Sequence, residues 1–265
     1  MIFKISNEYN ENKKYKVITL CGIKLKIKVS EKENCKHHKS IYNNIIPSGI
    51  LYRENLELGL GNITIKQEDE KNGQSFEYED MIVVNKAIGK YFLKNQKNVI
   101  NIGAGIGTFE YYNAEYHKNI NFVSSELDSA SIEYANLYRK KDNVIYCSED
   151  MSAIFNKYGK FDLAISIDVI EHVENYKEFL DDFSKLSDEA IIATPNRDRY
   201  YEIENLISPP YKYHVQEFNA GELYFILKMY YKDVKLYSLP NPLEETFKEV
   251  GIYSQYEKLV AYCKK

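Results

Sequence analysis

The segment VINIGAGIGTF, residues Val99 to Phe109, constrains this chain more than any other. Gly103, Gly105 and Gly107 stand at every second position directly behind a short apolar run. A buried strand that leaves through such a turn can open a helix while its backbone passes close to a ligand, because glycine tolerates positive φ and carries no side chain. The spacing is GxGxG. The dinucleotide fingerprint requires GxGxxG, with its last glycine placed for helix–sheet packing, so a hydride-transferring dehydrogenase is disfavoured.

The pattern around this segment predicts alternating strands and helices. Met81, Val84, Ile88 and Phe92 fall at helical spacing and predict an amphipathic helix ending near Asn95. After the glycines the spacing predicts a helix over 109–116, strand NFVSS, a helix over 129–139, strand VIYC, a short helix near Met151 and strand FDLAISI. A helix carrying Tyr176, Phe179, Phe183 and Leu186 follows, then strand AIIAT and a helix from Phe218 to Tyr230. DVKLYSL and EKLVAYC lack a long helix between them and predict an antiparallel pair at the sheet edge. The fold class expected is α/β, a doubly wound, mostly parallel Rossmann-like sheet over residues 76–265. Residues 1–75 form a small β-containing extension. In it, Tyr15 to Val29 predicts a hairpin about Cys21 and Gly22 whose lysines line one face, and Glu31 to Gly73 predicts loops and short strands.

Charge and composition exclude several roles. The first 40 residues carry ten Lys against four Glu, a net of +6, which leaves −10 on the rest of a chain whose total is −4. That acidic bulk argues against a nucleic-acid partner, which needs donors aimed at phosphates across the functional domain. No run reaches the roughly 18 apolar residues of a spanning helix, and no secretory signal is apparent, so a cytoplasmic location is expected. Cys21, Cys35, Cys147 and Cys263 lack paired spacing and read as reduced thiols. The CKHH stretch at Cys35 has no second ligand pair at zinc spacing, and no metal is expected.

Three successive strand ends then carry polar groups toward one crevice, where open α/β sheets bind ligands: Glu126 after NFVSS, Asp150 after VIYC, and SIDVIEHV after FDLA. Glu126 lies 23 residues beyond Gly103, suited to accept hydrogen bonds from ribose hydroxyls. With VINIGAGIGTF, FVSSELDSASIEYA, NVIYCSEDM, FDLAISIDVIEHVEN, ATPNR and YHVQEF in this order, the chain over about 98–230 resembles the class I S-adenosylmethionine-dependent methyltransferases, in particular the branch of quinone and glycan O-methyltransferases. The resemblance implies S-adenosylmethionine as cofactor. It implies that Gly103, Ala104 and Gly105 contact the methionine part and that Glu126 grips the ribose, with Leu127 beside the adenine. Asp150 and Met151 would lie at the adenine ring, and Ile167 and Asp168 at the methyl end. One position departs: many members carry an acid two residues before the first glycine, and here it is Asn101. The segment NEYNENKKYKVITLCGIKLKIK resembles N-terminal segments of bacterial capsule and lipooligosaccharide biosynthesis proteins.

Methyl transfer to a hydroxyl calls for a base matched to neutral pH, and His172 and His214 are the candidates, with Glu171 and Glu217 available to orient them. Local capping and packing is the competing reading for His172. Asp168 reads either as an acceptor ligand or as a strand-end cap. An acceptor that is already anionic, a phosphate or phosphoramidate, needs no base, and Arg197, Arg199 and Lys212 would then serve as its partners, or else stand as solvated loop charges. The function expected is an O-methyltransferase acting on a small acceptor, a sugar, free or nucleotide-linked, or a phosphoramidate, in surface-polysaccharide biosynthesis. A quinone or lipid O-methyltransferase and a non-catalytic cofactor-binding regulator are the alternatives left open.

Overall fold

The computed structural model describes residues 3–10, 13–20, 23–31, 79–200, 214–239 and 245–265. The loops expected over 32–73 and Lys212 lie outside the described residues. The chain divides into two compact units, Met1–Arg53 and Glu54–Lys265.

In the first unit β1 (Phe3–Asn10), β2 (Lys13–Leu20) and β3 (Ile23–Glu31) pair antiparallel in sequence order. The β2–β3 hairpin closes with Leu20 opposite Ile23, around the Cys21–Gly22 position that the alternation predicts. β1 was not expected, because Ser6, Asn7 and Glu8 interrupt any apolar alternation in that run.

The second unit opens with α1 (Glu79–Phe92), which buries Val84, Ile88 and Phe92 at the predicted helical spacing. The chain then runs through β4 (Asn98–Ile102), α2 (Thr108–Asn113), β5 (Asn121–Ser125), α3 (Ser129–Tyr138), β6 (Val144–Cys147), α4 (Met151–Tyr158) and β7 (Leu163–Ile167). A 3-10 turn (Ile170–His172) and α5 (Tyr176–Leu186) lead to β8 (Glu189–Pro195). A second 3-10 turn (Arg197–Tyr200) precedes α6 (Ala220–Leu227), β9 (Asp233–Ser238), β10 (Lys248–Val250) and β11 (Lys258–Lys264).

The eight strands lie in the order β10-β9-β11-β8-β7-β4-β5-β6. From β6 to β8 every pairing is parallel, and β11, β9 and β10 pair antiparallel. The antiparallel pair is as expected, but β11 sits inside the sheet between β8 and β9, and the short polar strand β10 forms the edge. β4 has β5 on one side and β7 on the other, so connections diverge there and open a crevice beyond the carboxyl ends of β4 and β7.

Both faces of the sheet are covered, which is why its strands read as continuous apolar runs. Alternate residues serve opposite faces: Ile100, Ala164 and Ile192 pack with Leu180, Phe183 and Leu223 from the helices of one layer. Val99, Leu163, Ile165 and Ile191 pack with Val84, Ile88, Phe92 and Phe109 from the other. Among the described residues no helix is long and apolar enough to cross a membrane.

Candidate active site

All three glycines of the β4–α2 turn are in the left-handed region, with φ of 75° at Gly103, 54° at Gly105 and 80° at Gly107. Their surroundings differ. A Cβ on Gly103 would lie 2.3 Å from Val169 Cγ2, and one on Gly107 would lie 2.6 Å from the Tyr146 hydroxyl, whereas one on Gly105 would meet nothing within 4 Å. Two of the glycines are therefore required by the protein's own packing, and Gly105 alone borders open space. Gly107→Ala should destabilise the fold by about 2–5 kcal/mol, combining left-handed strain with overpacking. Gly105→Ala should cost about 1–2 kcal/mol. Thermal melts of the two variants read the difference.

The carboxylate of Glu126 sits beside this open position. Its Oε2 accepts the Gly105 N–H at 2.9 Å and its Oε1 accepts the Asp128 N–H at 3.1 Å. Gly103 and Ala104 donate their N–H groups to the Ser125 carbonyl at 2.8 and 3.0 Å, fastening the turn to the end of β5. Leu127, next in sequence, is 76% exposed. At the end of β6, Asp150 caps α4 by accepting the Ala153 N–H at 2.8 Å, and Met151 is half-buried as the first residue of that helix. Ile167 ends β7, half-buried.

Asn101 is buried in β4 and donates from Nδ2 to Glu110 Oε1 at 2.9 Å. Glu110, on α2, is fully buried, and that burial raises its carboxyl above the ordinary range, with the Asn101 hydrogen bond acting in the opposite direction. An acidic group thus stands against Asn101, the position at which this chain departs from the acid that many members of the family carry. Nothing in the sequence spacing links residues nine apart across a strand, a turn and a helix.

Beyond β7 a second cluster forms. Asp168 adopts φ 56°, a left-handed conformation that costs a non-glycine residue free energy, and pairs with the ammonium of Lys258. Glu171 is fully buried in the 3-10 turn and accepts the Thr194 hydroxyl on Oε2 at 2.9 Å, while its Oε1 has no hydrogen-bond partner. Burial, and then the neighbouring Asp168 carboxylate, push the Glu171 carboxyl up to about 8, with Lys258 and Thr194 acting in the opposite direction. His172 and His214 meet edge to face with ring centroids 4.8 Å apart. His214 Nδ1 lies 2.5 Å from Glu217 Oε1, and both side chains are almost fully buried.

Residues 42 apart come together here because the chain before α6 is fastened to the 3-10 turn. Val215 and Gln216 donate N–H groups to the Glu171 carbonyl at 3.0 and 3.3 Å, and Gln216 Nε2 donates to the Val173 carbonyl at 2.8 Å. Arg197 holds the same segment from the other side. Its guanidinium donates to the Glu217 carbonyl at 3.2 Å and to Glu222 Oε1 at 2.5 Å, so it ties this segment to the start of α6 while staying partly exposed. Arg199 lies in the second 3-10 turn.

Three residues of the site were not foreseen. Lys258 begins β11, and because β11 runs antiparallel to β8 its start reaches the carboxyl edge of the parallel strands. A lone lysine opening the apolar run LVAYC was the available signal. Thr194, near the end of β8, and Glu110 are the others.

Residues 79–229 match the family model described as a methyltransferase domain, more than half of the chain. No curated protein matches the sequence. Among solved structures, the plantazolicin methyltransferase BpumL in complex with SAH aligns with a TM-score of 0.54 at 17% identity, covering 84% of this chain and 98% of that one. The N-terminal domain of EvdMO1 in the presence of SAH and D-fucose aligns with a TM-score of 0.52 at 14% identity, covering 72% and 85%. The methyltransferase domain of bacterial CtHen1-C gives a TM-score of 0.50 at 15% identity, covering 70% and 97%. At these identities the structural likeness establishes a shared fold.

Proposed function

The chain belongs to the methyltransferase-domain family and is an S-adenosylmethionine-dependent methyltransferase, and from that premise we propose that it transfers the methyl group to a hydroxyl oxygen of a small acceptor, working in the cytoplasm on surface-polysaccharide precursors such as a nucleotide-linked sugar. The cluster of Glu171, His172, His214 and Glu217 at the crevice is the observation that carries this reading.

The residues around the glycine turn fit the cofactor. Open space at Gly105, a carboxylate held beside it and the exposed Leu127 suit a nucleoside whose ribose hydroxyls donate to Glu126. Leu127, Asp150 and Met151 would flank the adenine, and Gly103, Ala104 and Asn101 the methionine part, with Glu110 supplying the acid behind Asn101. Ile167 and Asp168 would lie toward the methyl end. When bound, S-adenosylmethionine supplies a methyl on a positively charged sulfur, a leaving group that needs no assistance.

What the chain must add is alignment and a way to remove the acceptor's proton. Glu217 fixes the tautomer and orientation of His214 by holding Nδ1, so Nε2 is the nitrogen with which that ring meets an acceptor. A lone pair presented in this way can take a proton or hold a Lewis acid. The reading with an anionic acceptor loses support from Arg197, whose guanidinium is committed to Glu222 and the Glu217 carbonyl.

The test is incubation with methyl-labelled S-adenosylmethionine and separate pools of nucleotide sugars, phosphoramidates and quinones, followed by mass spectrometry. Label on a sugar hydroxyl is expected. Label on a phosphate oxygen, on a quinone hydroxyl or on nitrogen would overturn the assignment.

A further inference from the structure

Glu171, His172 and His214 each bring one ligand atom into a group in which all lie within 4.8 Å of one another. Two imidazoles and one carboxylate are a donor set for divalent transition metals, whereas magnesium and calcium prefer oxygen throughout. Atoms bound to one such ion stand about 3–4 Å apart, given bond lengths near 2.0–2.2 Å, so small ring rotations close the set. Two further observations point to a cation. Glu171 Oε1 is buried without a hydrogen-bond partner, an expensive state for a carboxylate oxygen unless something positive meets it. Glu217 holds His214 Nδ1 at 2.5 Å, the outer carboxylate that orients a metal-binding imidazole and increases its basicity. Thr194 does the corresponding work for Glu171, fixing the carboxylate through Oε2.

We propose that Glu171, His172 and His214 bind one divalent first-row transition-metal ion, and that the acceptor hydroxyl coordinates this ion in its remaining position. The metal-binding half stands on the ligands alone, and the acceptor half rests on the reading of this crevice as a site of O-methyl transfer. Coordination acidifies the hydroxyl, whose proton passes to water. The resulting oxygen anion forms the new O–C bond as the methyl–sulfur bond breaks and its electron pair stays on sulfur. With the ion in place, His172 and His214 act as ligands rather than as proton acceptors. No metal was expected from the sequence, because the three ligands are divided between adjacent residues and a position 42 further on, outside any zinc spacing.

Full-length protein stripped with chelator should bind one equivalent of Co2+, producing visible d–d absorption that Zn2+ displaces and equimolar Mg2+ does not. His172→Ala and His214→Ala should each weaken Co2+ binding by at least about 100-fold, and the near-isosteric Glu171→Gln by about 10-fold or more. Far-UV circular dichroism verifies that each variant is folded. Co2+ should raise the melting temperature of the wild type and leave that of the histidine variants unchanged. Absence of binding, binding that survives both histidine variants, or displacement by Mg2+ would overturn the site. If the ion binds but chelated enzyme makes the O-methyl product at an undiminished rate, the acceptor half fails while O-methyl transfer stands. If the ion binds as described and no oxygen acceptor is ever methylated, the proposed function fails and the metal site remains.

Discussion

Glu126→Ala should abolish measurable S-adenosylmethionine binding in a calorimetric titration, weakening it by at least about 100-fold while the protein stays folded. Hydrogen bonds to a charged acceptor are worth about 1.5–3 kcal/mol each, and two ribose hydroxyls on one carboxylate would exceed the roughly 2.7 kcal/mol that a hundredfold change requires. The side chain has a second task. By accepting the Gly105 N–H it holds the turn at the one of its three glycines that borders open space, so its loss would also loosen the backbone against which the cofactor is proposed to rest. Glu126→Gln separates the two effects, because the amide retains one oxygen for the Gly105 N–H and gives up the charge. About tenfold weaker binding is expected of it. Neither variant should lower the melting temperature greatly, since the carboxylate is only half-buried and contributes about 1 kcal/mol to the fold. Binding retained within about threefold in Glu126→Ala would remove this residue from the cofactor site.

The fold was legible wherever a local pattern matched a local structure. The 3.6-residue spacing of Val84, Ile88 and Phe92 became a buried helix face, and apolar runs such as LAISI became inner strands because both of their faces are covered. β1 and β10 escaped notice for the opposite reason: FKISNEYN and KEV hold too few apolar residues to show a period, and backbone pairing with a neighbouring strand makes them extended. The glycine turn was read correctly as a special backbone but incompletely in its cause. Val169 and Tyr146, which exclude side chains at Gly103 and Gly107, lie 66 and 39 residues away in sequence and touch the turn only once the sheet has formed.

Site chemistry followed the same division. Glu126, Asp150 and Asp168 end strands, so their shared edge follows from topology. The partners of those groups do not. Lys258 reaches Asp168 because β11 inserts between β8 and β9, and Glu110 reaches Asn101 because α2 folds back over β4. Arg197 is the instructive case: a cation in a loop reads as available from sequence, and is engaged once Glu222 is brought against it by the start of α6. The encounter of His172 with His214 likewise depends on two backbone N–H groups meeting the Glu171 carbonyl, a contact no residue type announces.

That encounter yields the other large expected effect. His214→Ala should leave S-adenosylmethionine affinity within about twofold of wild type and lower turnover by about 100- to 10,000-fold, whether the imidazole takes the acceptor's proton itself or holds the ion that acidifies the hydroxyl. The imidazole is nearly buried between Glu217 and His172, whereas the glycine turn is held by Glu126, so binding and turnover should separate. Truncation also leaves a buried carboxylate at Glu217 without its imidazole, and a modest loss of stability is expected alongside the kinetic one. Chemical rescue distinguishes the two. Exogenous imidazole can enter the space vacated by the side chain and should recover part of the turnover in His214→Ala, whereas it has no means of restoring an enzyme that merely packs badly. Glu217→Gln gives an independent check, because the amide can still contact Nδ1 but no longer offers it a charge, and about a tenfold loss of kcat with KM for the cofactor unchanged is expected. Turnover that survives His214→Ala would take the imidazole out of the reaction, whether as base or as metal ligand.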